Sequence, residues 1–431
     1  MTLSLSKKRK ERYVNMEGQL QEVQKITRLE EMPEYQRLMD RIQPLLSGSD
    51  NPYFIAHDSP LTDKSLMDGQ WVLNFGSYNY VGMSGRKEVE DAAIDAIRRY
   101  GTSASGSRLL AGEKSLYREL EREIAAWKHA QDALVLVGGH STNVTFVGNF
   151  CHSGDLILYD ALIHNSVAEG CRLSHATARP FPHNDFKALE RALELRRDKF
   201  SKVLICVEGV YSMDGDIAPI PEFVRLKKKY GCFLMVDEAH STCVIGETGG
   251  GVDEYYGLQP DDIDIKMGTL SKGLGACGGY LAGSANLIRY LRYSLPGFVF
   301  SVGISPALAA AVLCAVRLMR TDNSIMENLR RNVACFAEEA KRRRLDIGLA
   351  GKTAILPVLI GMDEHAWAIS NLLRHKGVFV PPAVYPAVPK NQARLRFCVT
   401  SMHQPEQIVQ ALDKLEEAAQ ELGIELPRLP Q

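Results

Sequence analysis

A lysine lies in a turn of small residues directly after an apolar stretch that is typical of a strand. The apolar stretch covers residues 263–267, and the turn that follows contains Thr269, Ser271 and Lys272. Such a turn places one amine beside hydroxyl and backbone N–H groups that could hold a phosphate. This suits Schiff-base formation with pyridoxal 5'-phosphate (PLP), in which the lysine is both the covalent link and a proton carrier. Taken alone, these residues favour a solvated Ser–Lys pair, and the rest of the chain changes that balance.

The same turn matches the glycine pattern of dinucleotide-binding proteins. Residues 273–278 fit GxGxxG, which also needs an acidic residue about 20 positions further on to bind a ribose. The downstream residues 295–301 include no carboxylate, and residues 279–283 are typical of a short strand rather than of a helix. The sequence therefore disfavours NAD binding.

Polar residues follow several other predicted strands. Gly139 and His140 follow residues 133–137, where a glycine turn that opens a helix offers N–H groups to a phosphate. His164 follows a predicted strand at residues 156–159 and could lie flat on a cofactor ring. In isolation, a tight turn and a core histidine are the alternatives for these two segments.

Two further loops complete the pattern. Asp237 directly follows the predicted strand at residues 233–236 and could keep a pyridine nitrogen protonated, while His240 could reach the phenolic oxygen of the ring. A polar loop that contains Ser212 follows residues 203–207. A capping aspartate and a loop histidine are the alternatives, but ligands of parallel sheets bind at the carboxyl ends of the strands. Four such loops and a strand-end lysine together predict one planar, anionic cofactor.

The bulk properties exclude several classes of partner. The formal net charge of -1 over 431 residues gives no reason to expect nucleic acid or an anionic membrane as a partner. The nine cysteines form no CxxC pair and no zinc-type set, so we expect buried free thiols and no metal site. The longest apolar run is too short to span a bilayer, and no signal peptide is recognised. We therefore expect a cytoplasmic protein.

The order of the predicted elements indicates a doubly wound α/β fold. Strands and helices alternate between residues 133 and 267, and the strands are nearly continuous apolar runs, as in a parallel sheet covered on both faces. We predict a helical N-terminal arm at residues 1–55, a large cofactor-binding domain at residues 56–305 and a smaller C-terminal domain at residues 306–431.

Three segments in this order resemble the α-oxoamine synthases: EGVYSMDGD at residues 208–216, VDEAHS at residues 236–241 and GTLSK at residues 268–272. The resemblance extends from about Asn74 to His403. It implies a fold-type I PLP-dependent transferase, with a mostly parallel seven-stranded sheet in the large domain and a smaller C-terminal α/β domain.

The resemblance implies roles for individual residues. Lys272 would form the Schiff base, Asp237 would pair with the pyridine nitrogen and His164 would stack on the ring. His240, the fourth catalytic residue, would hydrogen-bond the phenolic oxygen. The remaining cofactor contacts would come from Gly139, His140, Ser212, Thr269 and Ser301.

The substrate contacts are also implied by the resemblance. Arg396 would bind the carboxylate of an amino acid, since a planar guanidinium suits a bidentate carboxylate. Arg394 is the weaker candidate, because we expect it to face the opposite side of its strand. Asn79 matches a family loop that lies near the substrate.

The family builds its site between two subunits, which implies a homodimer with shared active sites. Many members have a Tyr-Ser-Thr-Ser-like loop whose hydroxyl reaches the phosphate of the neighbouring subunit. Here the matching residues are Phe300, Ser301, Val302 and Gly303, so the threonine is replaced by valine. This departure, with His140 where relatives often have Phe or Tyr, suggests a divergent subgroup.

The implied reaction is a decarboxylative Claisen condensation of an amino acid with an acyl thioester, either acyl-CoA or an acyl-carrier protein. It gives an α-oxoamine, CO2 and free thiol. An aminotransferase of the same fold and a non-catalytic partner subunit are the alternatives. The intact Lys272, Asp237 and His240 argue against the second of these. The sequence does not select the amino acid, the acyl chain or the thioester carrier.

Overall fold

The computed structural model describes residues 13–14, 20–21, 26–47 and 51–430, and the chain divides into two units, residues 1–54 and 55–431. In the first unit, β1 (Tyr13–Val14) pairs in antiparallel fashion with β2 (Leu20–Gln21), and α1 covers Pro33–Ser47. Other parts of the predicted arm at residues 1–55 lie outside the described residues.

The second unit contains the elements that position the site. Its strands are β3 (Lys64–Met67), β4 (Gln70–Asn74), β5 (Asp132–Leu136), β6 (Leu156–Asp160), β7 (Thr177–Phe181), β8 (Val203–Glu208), β9 (Phe233–Asp237), β10 (Ile265–Thr269), β11 (Gly279–Gly283), β12 (Ile355–Gly361), β13 (Val378–Phe379), β14 (Pro382–Ala383) and β15 (Ala393–Cys398). Its helices are α2 (Lys87–Tyr100), α3 (Ser115–Trp127), α4 (Gly139–Phe150), α5 (Asn165–Leu173), α6 (Phe186–Arg196), α7 (Ile220–Tyr230), α8 (Val252–Tyr256), α9 (Ala285–Ser294), α10 (Pro296–Val299), α11 (Pro306–Thr321), α12 (Ser324–Arg342), α13 (Asp363–His375) and α14 (Pro405–Glu421).

The largest sheet has seven strands in the order β5-β11-β10-β9-β8-β6-β7. Strand β11 is antiparallel to both of its neighbours, and all other neighbouring pairs are parallel. The prediction of a mostly parallel seven-stranded sheet is therefore confirmed. Because the parallel strands end at the same edge, the loops after β6, β8, β9 and β10 converge there.

Burial on both faces explains why the central strands are continuous apolar runs. In β8, Val203, Ile205 and Val207 pack into one hydrophobic cluster, and the intervening Leu204 and Cys206 pack into another. Successive side chains of a strand point to opposite faces, so each cluster fills one side of the sheet. Helices cover both clusters, as a doubly wound fold requires.

Two small sheets complete the unit. Strand β4 lies between β3 and β13, and β15 lies between β12 and β14. Helix α11 packs against α2 and α3, while α12 and α13 both contact α14. Thus β13 and α11 both contact elements that precede residue 306. The domain boundaries at residues 56–305 and 306–431 stay a prediction.

Within the described ranges, no helix combines the length and the apolar character that a bilayer crossing requires. The same part of the chain contains no cluster of three or more His, Cys, Asp or Glu side chains with the arrangement of a metal site.

Candidate active site

A cavity of about 260 Å³ opens at the carboxyl edge of the seven-stranded sheet. Seven of the residues predicted from the sequence line it together: Gly139, His140, His164, Asp237, His240, Thr269 and Lys272. They are separated by up to 133 positions of sequence and come from loops that follow four different strands. The fold therefore assembles the chemical groups that the sequence suggested.

Lys272 presents its amine to a histidine rather than to a carboxylate. The Nζ atom of Lys272 lies 2.9 Å from Nε2 of His240. Burial lowers the pKa of Lys272 to about 8, although the negative charge of Asp237 opposes this shift. A lysine with this pKa exists partly as the free amine near neutral pH, the form needed for a Schiff base or for proton abstraction.

His240 connects Lys272 to a buried tyrosine. Its Nδ1 atom lies 2.9 Å from the hydroxyl of Tyr80, which is fully buried. Burial, followed by the charge of Lys272, places the pKa of His240 well below its usual value. A neutral imidazole donates through one nitrogen and accepts through the other, so His240 can serve both neighbours at once.

Asp237 is a buried carboxylate whose partners are neutral. Its Oδ2 accepts a 2.7 Å hydrogen bond from Nδ2 of Asn143, and its Oδ1 accepts one of 2.9 Å from the backbone N–H of Ala239. No arginine or lysine among the described residues forms an ion pair with it. A protonated ring nitrogen in the cavity would supply the cation, so Asp237 fits a pyridinium group.

His164 is held by the first turn of the helix that it precedes. It is the N-cap of α5, and its Nδ1 lies 2.7 Å from Oγ of Ser166 and accepts from the backbone N–H of the same residue. Burial lowers the pKa of His164, which favours a neutral ring. His140 approaches His164 edge-on with a centroid distance of 6.1 Å. The neutral ring at the cavity wall suits stacking on a flat cofactor.

The opposite side of the cavity offers donors for a phosphate. Helix α4 begins at Gly139, and no side chain caps its N-terminus. A Cβ atom at Gly139 would lie 2.7 Å from Oγ1 of Thr269, so only glycine allows this approach. The Oγ1 of Thr269 also lies 2.9 Å from Oγ of Ser271. Free N–H groups at a helix start, with hydroxyls beside them, fit an anionic phosphate, and the cavity as a whole therefore fits PLP.

Arg396 is buried near this cavity with one nitrogen unpaired. Its Nε donates to the carbonyl of Ser212 at 2.7 Å, and its Nη1 lies 2.9 Å from Sγ of Cys398. Its Nη2 is buried and has no hydrogen-bond partner among the described residues. The ring of Tyr78 lies 5.0 Å from the guanidinium of Arg396 and 5.8 Å from Nζ of Lys272. The unpaired nitrogen is available to a substrate carboxylate near the reactive amine.

Arg394 has a different environment. Its Nη1 donates to Oδ1 of Asp214 at 2.7 Å, and it lines a separate cavity of about 200 Å³ together with His183. The prediction that Arg394 faces the opposite side is wrong, because residues two positions apart in a strand face the same side. The partners distinguish the two arginines: Arg394 is ion-paired with Asp214, whereas Nη2 of Arg396 has no hydrogen-bond partner among the described residues. The geometry favours Arg396.

Besides Arg396, three predicted contacts do not line the cavity. The side-chain amide of Asn79 donates to the carbonyls of Leu61 and Ser84, so it stabilises its own loop. Ser212 contributes its backbone carbonyl to Arg396 rather than a hydroxyl to the cavity. Ser301 donates to the carbonyl of the next residue at 3.3 Å. Within the single chain, these three residues have local structural contacts.

The structure adds residues that the sequence analysis did not assign. Asn143, Ser166 and Glu208 line the cavity, and Tyr80 contacts His240 from behind. Asn143 lies one helical turn after Gly139, and this spacing could have placed it on the same face of α4. The contact between Tyr80 and His240 spans 160 positions and had no sequence signal.

Fold, cavity and donor set together define a PLP-dependent transferase of fold type I. Residues 71–415 match the family described as aminotransferase class I and II. An 8-amino-7-oxononanoate synthase from Thermoanaerobacter pseudethanolicus is 38% identical over 85% of this chain and 92% of its own length. One from Alkaliphilus metalliredigens is 36% identical over 91% of this chain and 98% of its own length.

Solved structures give the same result. Serine palmitoyltransferase from S. paucimobilis, with a bound PLP–myriocin aldimine, superposes with a TM-score of 0.86. It is 29% identical, and the match covers 90% of this chain and 98% of the other. The chain belongs to the aminotransferase class I and II family and, within it, to the α-oxoamine synthases. The predicted family, fold type and cofactor are confirmed.

Proposed function

We propose that the protein condenses an amino acid with an acyl thioester, with loss of CO2, to give an α-oxoamine and free thiol. The observation that carries this proposal is the pairing of the Lys272 amine with neutral His240 beside a buried arginine that has a free nitrogen. The family relationship supports the same reaction, since the relatives are named 8-amino-7-oxononanoate synthases. PLP, when bound, withdraws electrons from the α-carbon of the amino acid.

The residues of the chain divide the work between binding and proton transfer. Arg396 binds the substrate carboxylate through its unpaired Nη2. Lys272 removes the α-proton, because a pKa of about 8 leaves part of the amine unprotonated at neutral pH. Asp237 would hold the ring nitrogen of bound PLP in its protonated form, and Asn143 fixes the carboxylate of Asp237 through a 2.7 Å hydrogen bond.

The bond changes then follow from the chemistry of the thioester. The α-carbon gains the acyl group, the C–S bond breaks to release the thiol, and the carboxylate leaves as CO2. His240 keeps the Lys272 amine in position through the 2.9 Å contact between Nε2 and Nζ, so the same amine can return the proton.

Two copies of the chain complete the site in this proposal. The loop of Ser301 carries Phe300, whose side chain is 87% exposed, and Leu110 on a neighbouring loop is 82% exposed. The isolated bridge between Ser107 and Val302 joins the two loops. Exposed apolar side chains of this size are characteristic of surfaces that another chain covers. A homodimer would bury them and bring Ser301 near the phosphate of the partner.

The test follows the products of each half of the reaction. Amino acids are screened for those that shift the cofactor absorption, and each is then mixed with CoA thioesters and carrier-protein thioesters side by side. Thiol and CO2 should appear in equal amounts, and only when the thioester is present. Consumption of a keto acid without CO2 would indicate an aminotransferase instead. CO2 release without a thioester would contradict the proposal.

A further inference from the structure

Glu208 and Asp237 place two carboxyl groups side by side in the cofactor cavity. They are the last residues of β8 and β9, and the register of this parallel pair aligns Glu208 with Asp237. Aligned residues of neighbouring parallel strands point to the same face at a separation of about 4.8 Å between strands. Both residues are 3% exposed and both line the cavity. The mechanism uses Asp237 and leaves Glu208 without a role.

The hydrogen-bond partners distinguish the two groups. Asp237 accepts from the NH2 group of Asn143 and from the backbone N–H of Ala239, which are groups that can only donate. Each oxygen of Asp237 therefore faces a donor, which favours an ionised carboxylate that carries no proton on either oxygen. Glu208 has weaker support: the backbone of His164 hydrogen-bonds to it, but its Oε1 is buried without a hydrogen-bond partner among the described residues. A second anion at this position would lie beside the first with little compensation.

We propose that Glu208 is a neutral carboxylic acid in the cofactor cavity and that Asp237 is the ionised member of the pair. Two neighbouring buried carboxyl groups cannot both ionise at low cost, so one of them keeps a proton. The donors assign the negative charge to Asp237 and the proton to Glu208. Glu208 then offers an O–H group to the cavity, where Asp237 offers only acceptors.

The charged surroundings of Glu208 agree with this assignment. Burial raises the pKa of Glu208 well above its usual value, and the charge of Asp237 adds to that shift. Asp160 acts in the same direction, whereas Lys272 and the backbone of His164 act against it. Tyr211 also faces this group, and burial raises its pKa well above the usual value, so it remains a neutral phenol.

The proton on Glu208 has a consequence for Lys272. An ionised Glu208 would raise the pKa of Lys272, as Asp237 does. A neutral Glu208 removes that effect and leaves the amine easier to deprotonate. This catalytic meaning depends on the proposed function, but the protonation state itself does not, and it can be measured without turnover.

Infrared spectroscopy of the PLP-loaded full chain tests the assignment directly. At neutral pH, Glu208→Gln should remove a carboxylic-acid C=O band that the wild-type chain shows. Glu113→Gln is the control, because Glu113 is ion-paired with Arg108 and Arg118 and should contribute no such band. An unchanged band in Glu208→Gln would overturn the proposal. If that variant does not fold, the wild-type chain with isotope-labelled glutamate shows whether a glutamic-acid band exists, and its absence is equally decisive.

The pH dependence of stability gives a second readout. The folded chain keeps a proton that an unfolded glutamate releases above its ordinary pKa of about 4.3, so wild-type stability falls as pH rises from there. Glutamine has no such loss. The ratio of folded to unfolded Glu208→Gln, divided by the same ratio for the wild type, should therefore rise by about tenfold per pH unit. This rise should extend from about pH 5 to the pKa of Glu208 in the folded state. A difference that does not change with pH would contradict a neutral Glu208.

Discussion

Lys128 and Lys272 are enclosed lysines of one folded unit that have opposite environments. Lys128 is fully buried, and its amine contacts the carboxylate of Glu238 and the carbonyl of Gly250. Burial is the largest influence and opposes its charge, but Glu238, Tyr280 and Asp253 together outweigh burial, and the pKa of Lys128 rises. Lys272 contacts neutral His240, and burial lowers its pKa to about 8. Glu238 and Asp237 are adjacent in sequence, so the end of β9 supplies both the carboxylate that contacts Lys128 and a carboxylate whose charge acts on Lys272.

The difference shows that the partner of a buried lysine decides its chemistry. A carboxylate in contact keeps Lys128 charged and turns it into a structural cation. A neutral imidazole in contact, with carboxylates only further away, leaves Lys272 as an amine that can react. Burial alone distinguishes neither case, since it acts in the same direction on both residues.

The largest expected effect is loss of chemistry at Lys272. Lys272→Ala should abolish the covalent link to PLP and lower turnover by at least about 10⁴-fold, because one amine serves as both link and base. Its stability should change little, since no ion pair is lost. Borohydride reduction followed by peptide mapping measures the link. An adduct on a different lysine would refute the site assignment.

Lys128 should give the reverse result. Lys128→Met leaves Glu238 buried without its cation, which should lower the free energy of unfolding by roughly 3–5 kcal/mol. The double variant Lys128→Met/Glu238→Gln is the matched control and should recover part of this loss. Urea unfolding measures the change, and PLP should still attach to Lys272. A loss below about 1 kcal/mol would mean that the pair is not a structural ion pair.

The two arginines of β15 provide a similar comparison between a residue with a free nitrogen, Arg396, and an ion-paired residue, Arg394. Arg396→Ala should weaken amino-acid binding by roughly 2–4 kcal/mol, as expected when a buried charge loses its bidentate partner. The cofactor spectrum without substrate should stay unchanged. Arg394→Ala is the control, because Arg394 pairs with Asp214 and lines the other cavity. A larger effect from Arg394→Ala in the spectral titration would reverse the assignment.

The smallest effect is in the pH dependence of cofactor attachment. The neutral amine attacks PLP, so the attachment rate of cofactor-free protein should rise with pH and level off above the pKa of Lys272, about 8. This gives a rise of about tenfold between pH 7 and pH 9. Stopped-flow absorbance measures it. A rate that continues to rise towards pH 10 would show an amine with the pKa of an exposed lysine.

Much of the fold could be predicted because the central strands are buried on both faces. Their apolar runs distinguish them from the helices between them, and polar residues mark each carboxyl end. Strand β7 was not predicted, since it contains exposed Arg179 and Pro180, and a proline is tolerated there because the strand lies at an edge of the sheet. Strand β5 lies at the other edge but was predicted, because its residues 133–136 are buried.

The site could be predicted where the chemistry requires a particular residue type. It could be predicted less well where a contact joins residues that are far apart in the sequence. Lys272 and Asp237 have types and positions that the cofactor requires, and both line the cavity. Asn79 was expected near the substrate, but its amide is occupied by backbone carbonyls, which no local pattern indicates. Asn143 contacts Asp237 and Tyr80 contacts His240 from other elements, and only the folded chain brings these pairs together.

Lys272 lies in a short turn between β10 and the antiparallel strand β11. The turn that contains Lys272 covers the nine residues from Leu270 to Gly278, after which the chain returns as β11, antiparallel to β10. The N–H of Leu270 donates to the carbonyl of Gly278 at 2.9 Å and closes this turn. The backbone of Lys272 is therefore held at both ends of the turn by the paired strands β10 and β11. If Lys272 is released from a covalent link to the cofactor, its side chain would be free to move while its backbone stays fixed. Its amine would then remain at a high effective concentration within the cavity, as repeated proton transfer would require.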